Sequence, residues 1–519
     1  MQFMPGKRCE EEECMPLIRE VATKYGLIRG LPAADPRVTS YKGIPFAAPP
    51  TGGNRWRAPQ PCPPWEGVLN AYDFGPITPQ AVTGKHKENI YSREWAVDDD
   101  PLMDEDCLYL NVWAPAEGQK DLPVFVWYFG GGLQVGATTE MEFDGERIAR
   151  RGVVVVTVNY RLNVFGFLAH PEISAEADSG TANFGFLDQR FATRWVKENI
   201  AAFGGDPDNI TIGGQSAGGM SVSAQISHPG NEGLFRRAVI ISGLFIRAYP
   251  ERLSLCVSLK EAQERGRIFF REVLKVKSLE EARQVPWEKL LSAALPWKEG
   301  GLWPACVDGS YLTYPPDQWY LHQQRVRCPV ITGSTDNEFH VSPAAHDDAS
   351  LLEYAKKIEG LDIDAFISAF TSPATRESIA KEGRVSAIDI AVRAAVGKSG
   401  DPVYAYEFGA EIPGWDDPGA FHSVDLWFFF ETLAKCWRPF VGKHYDLARQ
   451  MCDYLANFCK HGDPNGSNAA DGQLPYWPVF TPEAPVMMSF ADTVKPVHRP
   501  MDPVARLLLE AYFRRMERQ

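Results

Sequence analysis

Two runs, LPVFVWYF at residues 122–129 and GVVVVTVNY at 152–160, are built almost wholly of β-branched and aromatic residues, with no apolar/polar alternation. Strands of that kind are buried on both faces, which confines the chain to a mostly parallel sheet covered by helices on either side. NITIGG, RAVIISG, CPVITG and PVYAYEF repeat the signal, and FATRWVKENIAAFGG places a helical pattern among them. The fold class that follows is α/β, a large mostly parallel central sheet flanked by helices. Ahead of it, LIREVATKYGLIRGLP reads as a small N-terminal antiparallel hairpin with its turn at Tyr25-Gly26. Residues 244–327 turn helical and tryptophan-rich, and read as a helical insertion over the sheet. No repeat or linker divides the chain, so one domain over 1–519 is expected. Near the end, Asp502 and Pro503 open a helix whose Val504, Leu507, Leu508 and Tyr512 share a face suited to packing on the body.

Composition narrows the function classes. The 519 residues are 45% apolar and 23% charged, which suits a large buried core. A net charge of −14 argues against nucleic acid as a partner. VVVVTV and LWFFF fall far short of the roughly 18 apolar residues that cross a bilayer, so no membrane span is expected. The opening MQFMPGKRCEEEEC has no apolar core of the secretory type, and a cytoplasmic location is the expectation. Ten cysteines without a C-x-x-C pair remove the commonest zinc and redox spacings and read as free thiols in a reducing compartment. No metal and no cofactor are called for.

Gly130-Gly131-Gly132 follows the first strand directly, so bare backbone is kept free to approach something. A dinucleotide phosphate would require a third glycine at Val135, and Gly136 comes one residue too late. A developing oxyanion is the other answer, and it requires a nucleophile. Gly214-Gln215-Ser216-Ala217-Gly218 supplies one, set between a strand and a run of small helix-compatible residues, the context of a nucleophile elbow. Amides following Gly130 could then meet the amide of Ala217 at one oxygen. Of ten histidines, His422 has the most suitable place, on a loop after PVYAYEF, whereas His461, His228 and His86 fit less well. Asp336 and Glu338 both lie just beyond the strand in CPVITGSTDNEF, and position alone does not choose between them. The order serine, acid, histidine is the one expected of a strand-elbow-helix hydrolase.

With these residues in view, the chain resembles the type-B carboxylesterases, the α/β-hydrolase-fold family of para-nitrobenzyl esterases and cholinesterases. The resemblance runs from YKGIPFAAPPTGGNRWRAPQP at residue 41 to YWPVFT near 480, and is carried by EDCLYLNVW, VNYRLNVFGFL, NFGFLDQR, FGGDPDNITIGGQSAGG and GAFHSVDL. It implies a serine carboxylic-ester hydrolase acting through an acyl-enzyme on small to medium, hydrophobic or aromatic esters. Its G-x-x-x-[DN]-E pattern falls on Gly333, Asn337 and Glu338, selecting Glu338 as the acid. Its G-A-x-H pattern falls on Gly419, Ala420 and His422. The oxyanion amides it implies are those of Gly131, Gly132 and Ala217, beside the nucleophile Ser216. Three departures stand out. Phe129 and Leu133 flank the triglycine where other residues are usual. Thr78 occupies the place of the cysteine that pairs with the EDCL cysteine in secreted members, so that bond is expected to be absent, with Cys62 an alternative partner for Cys107. Gln215 stands where many relatives carry glutamate.

Two other readings share the fold: a specialised hydrolase of a carbamate, a lactone or a bulky natural-product ester, and a non-catalytic binding protein. The implied partner is a small-molecule ester, and the chain is expected to be a monomer or homodimer of bacterial type. Trp287, Trp297, Trp303, Trp427 and Phe428 to Phe430 either line a pocket or fill the core.

Overall fold

The computed structural model describes residues 17–82, 88–95, 97–98, 100–176, 182–243, 256–295, 302–338, 348–373, 375–376, 396, 399–466, 474–500 and 503–516. Met1 to Cys14, His86, Trp297 and Asp502 lie outside them.

Three short strands, β1 (Glu20–Thr23), β2 (Gly26–Arg29) and, further along the chain, β5 (Val68–Asn70), form a small sheet in which β1 and β2 are an antiparallel hairpin. The hairpin turn is Lys24-Tyr25, one residue earlier than the Tyr25-Gly26 expected, because Gly26 already pairs with Thr23. The main sheet has eleven strands. In chain order these are β3 (Leu31–Pro32), β4 (Val38–Pro45), β6 (Tyr109–Pro115), β7 (Leu122–Tyr128), β8 (Val154–Val158), β9 (Gly205–Gln215) and β10 (Arg237–Ile241), then β13 (Val330–Thr335), β14 (Val403–Phe408), β15 (Val486–Phe490) and β16 (Lys495–His498). Between β10 and β13 lies a separate parallel pair, β11 (Cys256–Ser258) and β12 (Ala305–Val307).

Across the sheet the order is β16-β15-β14-β13-β10-β9-β7-β8-β6-β4-β3. From β8 to β15 every ladder is parallel, while both flanks are antiparallel. The two runs that dominate the sequence sit at the centre, and all five residues of β8 are buried. At about 25 cal/mol per Å² of apolar surface removed from water, such doubly covered strands supply much of the drive to fold.

The segment between β10 and β13 carries the helices Leu259–Ile268, Leu279–Arg283 and Trp287–Ala294. Its Phe269, Phe270, Leu290 and Trp303 share an apolar cluster with Leu133, Ala217 and Met220, so this segment packs on the triglycine loop and the helix after the serine. Trp427 and Phe428 to Phe430 belong to the central core: Phe430 packs edge-on against Trp127, with ring centroids 5.0 Å apart. The closing helix, Pro503–Met516, buries Val504, Leu508, Leu509 and Tyr512 against the body. Among the described residues no helix is long and apolar enough to cross a membrane, and no group of three or more His, Cys, Asp or Glu is arranged to hold a metal.

Candidate active site

Strand β9 ends at Gln215 and the helix Ala217–Ser227 begins two residues later, so Ser216 alone makes the turn. It does so at φ 55° and ψ −125°, a strained conformation held by its own amide donating to the Ile241 carbonyl at 2.9 Å. The tightness requires glycine nearby. A Cβ on Gly218 would stand 2.0 Å from the Tyr128 carbonyl oxygen, so any side chain there would push the helix off β7. Ala217 opens the helix, and its N–H is one of those that no intrahelical carbonyl can satisfy.

The triglycine loop arrives beside this turn from β7. A Cβ on Gly130 would lie 3.1 Å from Cβ of Ser216, and Gly131 takes φ 99° where a Cβ would meet the Val135 carbonyl at 2.0 Å. The loop is braced from three sides by residues that the sequence did not single out for this purpose. Gln80 forms a two-way bond with Gly136, donating to its carbonyl at 3.0 Å and accepting from its amide at 2.7 Å. Gln134 makes a similar pair with the Trp303 backbone at 2.8 and 3.1 Å. Asn163 donates to the Gln134 carbonyl at 3.1 Å, and its own amide donates to the Leu133 carbonyl at 2.8 Å. Each brace closes across 29 to 169 residues of chain, a separation that no local pattern reveals.

The acid and the histidine come from neighbouring loops at the same end of the sheet. Asn337 stitches them: its amide donates to the Ala420 carbonyl at 2.9 Å, and its side-chain oxygen accepts from the Ala420 amide at 2.9 Å. This places Glu338 Oε2 against Nδ1 of His422, and the imidazole is only 4% exposed. The other oxygen of Glu338 accepts from both the amide and the hydroxyl of Thr335, each at 3.1 Å. Burial alone would push the Glu338 carboxyl up, but the charge and hydrogen bond of His422, aided by the Thr335 amide, hold it at about 2. Asp336, the alternative acid, has its carboxylate against Gly409, so it is Glu338 that meets the imidazole.

The far ring nitrogen, Nε2 of His422, is contacted by Gln215, whose amide nitrogen lies 3.0 Å away and also donates to the Ser423 hydroxyl at 2.6 Å. Behind the ring, Asp425 is fully buried and accepts from the Tyr406 hydroxyl at 2.7 Å. Burial is the main cause that raises its carboxyl to about 7. The Thr78 hydroxyl lies 3.2 Å from Sγ of Cys107, and Cys62 and Cys107 are both free thiols, so the bond to Cys62 does not form.

The family model that matches this chain is the carboxylesterase family, over residues 18–382 and 381–504. A para-nitrobenzyl esterase of Bacillus subtilis is 32% identical over 464 residues, covering 86% of this chain and 90% of the relative. Human cocaine esterase is 31% identical, with 87% and 83% covered. Among solved structures, a Geobacillus stearothermophilus carboxylesterase superposes with a TM-score of 0.75 at 31% identity, covering 94% of this chain and all of the other. A para-nitrobenzyl esterase structure gives 0.77 at 28% identity. With the braced glycine loop, the serine turn and the Glu338–His422 pair at one end of the sheet, the chain belongs to the carboxylesterase family and is a serine carboxylic-ester hydrolase of the α/β-hydrolase fold.

Proposed function

We propose that Ser216 is the nucleophile, His422 its general base and Glu338 the acid that orients the base, with the amides of Gly131, Gly132 and Ala217 as the oxyanion hole. The observation that carries this reading is the buried Glu338–His422 contact. With Nδ1–H turned to the carboxylate, Nε2, which the Gln215 amide nitrogen approaches at 3.0 Å, is the nitrogen that takes the hydroxyl proton once that amide gives way. The Ser216 proton moves to Nε2 as Oγ bonds to the ester carbonyl carbon. The resulting imidazolium protonates the departing alkoxide, and an acyl-enzyme remains. Water then repeats the sequence: its proton goes to Nε2, its oxygen bonds to the acyl carbon, and Ser216 recovers its proton as the acid leaves. Negative charge on the carbonyl oxygen develops only in the tetrahedral states, so donors fixed in advance lower the barrier, each raising the rate by a factor of about 10² to 10³.

The substrates we assign are small to medium esters with hydrophobic or aromatic groups, because the chain packs Leu133, Met220 and Trp303 in one apolar cluster with Ala217. A soluble bacterial enzyme of the cytoplasm, single-domain with 244–327 as its insertion, is the setting we propose. Hydrolysis of p-nitrophenyl acetate, butyrate and octanoate by the wild type and by Ser216→Ala tests the reading. The variant is expected to lose a factor of about 10⁴ or more in kcat. Retained activity in the variant would refute the assignment.

A further inference from the structure

The amides proposed as oxyanion donors include two in a run of glycines, whose torsions have too much freedom to aim an N–H unaided. Two peptide planes decide where the Gly131 amide points. Beyond it, the Gly131 carbonyl accepts from the amides of Gln134 and Val135 at 3.0 and 3.1 Å, which fixes the plane it shares with the Gly132 N–H. Ahead of it, the Phe129 carbonyl accepts from the Tyr160 hydroxyl at 2.7 Å, which fixes the plane it shares with the Gly130 N–H. Gln80, Gln134 and Asn163 hold the loop at or past Gly132, whereas Tyr160 holds its root. We propose that Tyr160 is a positioning residue that aims the Gly131 amide at the oxyanion, by pinning the peptide from which the glycine loop starts. This rests on the oxyanion assignment given above.

The phenol is held where it stands. Tyr160 is fully buried and its ring is stacked on that of Phe129, with centroids 4.4 Å apart, so ring and hydroxyl both meet the residue that leads into the glycines. Its chain neighbours are locked as well. The Asn159 amide donates to the Tyr109 carbonyl at 3.0 Å, and Arg161 forms a buried two-point ion pair with Asp188 at 2.6 and 2.8 Å. The Phe129 carbonyl is also pressed against the helix that follows Ser216: a Cβ on Gly218 would stand 2.7 Å from the Phe129 oxygen. One turn further along that helix, the Ser221 hydroxyl adjoins the phenol and donates to the Ala217 carbonyl at 2.9 Å. Tyr160 therefore meets both parts of the proposed oxyanion hole, the glycine loop at its root and the helix that opens at Ala217. Burial raises the phenol well above its ordinary value, so it stays a donor over the pH range in which a histidine base works.

A hydroxyl that acts only by aiming an amide leaves a distinct kinetic mark. Charge on the carbonyl oxygen appears in acylation and deacylation alike, so kcat falls whichever step is slower while KM hardly moves. Removing an oxyanion donor outright costs about 10² to 10³ in rate, and letting one swing off line costs less. Tyr160→Phe, which keeps the ring stack, is expected to lower kcat on p-nitrophenyl butyrate about tenfold per site titrated with a fluorophosphonate, with KM within about twofold of wild type. Ki for butyl trifluoromethyl ketone, whose carbonyl carbon bonds to Ser216 Oγ and whose oxygen takes the charge, is expected to rise by the same factor. A wild-type kcat, a Ki that does not follow kcat, or a loss confined to KM would overturn the proposal. Tyr160→p-methylphenylalanine fills the place of the hydroxyl without a donor, and guards against a phenylalanine variant that does not fold. The same loss of about tenfold is expected, and a wild-type kcat would overturn the proposal. The ketone separates the two readings. If it fails to inhibit wild type, the oxyanion assignment fails. If it inhibits wild type and variant equally and kcat is unchanged, only the role of Tyr160 fails.

Discussion

At Ser216 the backbone holds a conformation that costs a non-glycine residue about 1 to 3 kcal/mol, tolerated because β9, β7 and the following helix leave it no alternative. Neighbouring side chains follow the same logic of groups held against their own preference. Glu338 is kept ionised, and Glu338→Gln should cut kcat by about 10³ or more, since the amide can hold the imidazole in the wrong tautomer. Because the folded carboxyl sits at about 2, below its ordinary 4.5, its contribution to stability is complete above about pH 4.5 and is lost as pH falls toward 2. The stability gap between wild type and Glu338→Gln should therefore narrow in melts at pH 3 relative to pH 7. Glu142 shows the opposite sign. Burial, with the charge of Glu140 beside it, raises its carboxyl well above the usual range, so it costs stability increasingly as pH climbs from about 4.5. Glu142→Leu should melt about 2 °C or more above wild type at pH 8, with little gain at pH 4.5. Ser216, Glu338 and His422 were all legible in the sequence as motif positions. Spacing could not choose Glu338 over Asp336, because the choice depends on how Asn337 pairs the two loops. Gln215 was legible only as a departure, since its contact with Nε2 forms across 207 residues.

In the proposed mechanism the chemistry turns on the glycine loop after β7, whose amides are useful only if they do not move. Gln134 ties it to Trp303, just ahead of β12 in the segment between β10 and β13, so that segment braces the loop proposed as the oxyanion site. Gln134→Ala should lower kcat about tenfold while leaving KM nearly unchanged, the pattern of an interaction realised in the transition state. Steady-state kinetics on the butyrate ester would check it, and a change confined to KM would count against it. The strands and the helix after Ser216 were readable because buried β-branched runs and a glycine-flanked serine are local signals. The braces at Gln80, Gln134 and Asn163 were not, for they are ordinary polar residues whose meaning comes from backbone groups far along the chain.

Over the whole molecule, the sheet brings the loops after β7, β9, β13 and β14 to one end, and buried ion pairs tie the periphery to it. Arg55 and Glu105 are 5% and 6% exposed, and Arg55 also donates to the carbonyls of Ala282 and Val285, joining the early irregular stretch to the later helices. Removing one partner of such a pair leaves the other charge buried, at a cost of about 3 to 5 kcal/mol. Arg55→Ala should thus lower the thermal midpoint by several degrees without altering the pH profile of the surviving activity. The α/β class and the parallel centre were plain from the sequence. The antiparallel flanks were less so, because their outermost strands, β3 and β16, are short and largely exposed. Activation of one serine by one imidazole is probed most directly by intact-mass analysis after brief exposure to a fluorophosphonate. A single adduct per chain is expected, mapped to Ser216 in peptide digests, with labelling slowed about 10³-fold or more in His422→Ala. An adduct on another residue, or equal labelling in that variant, would contradict it.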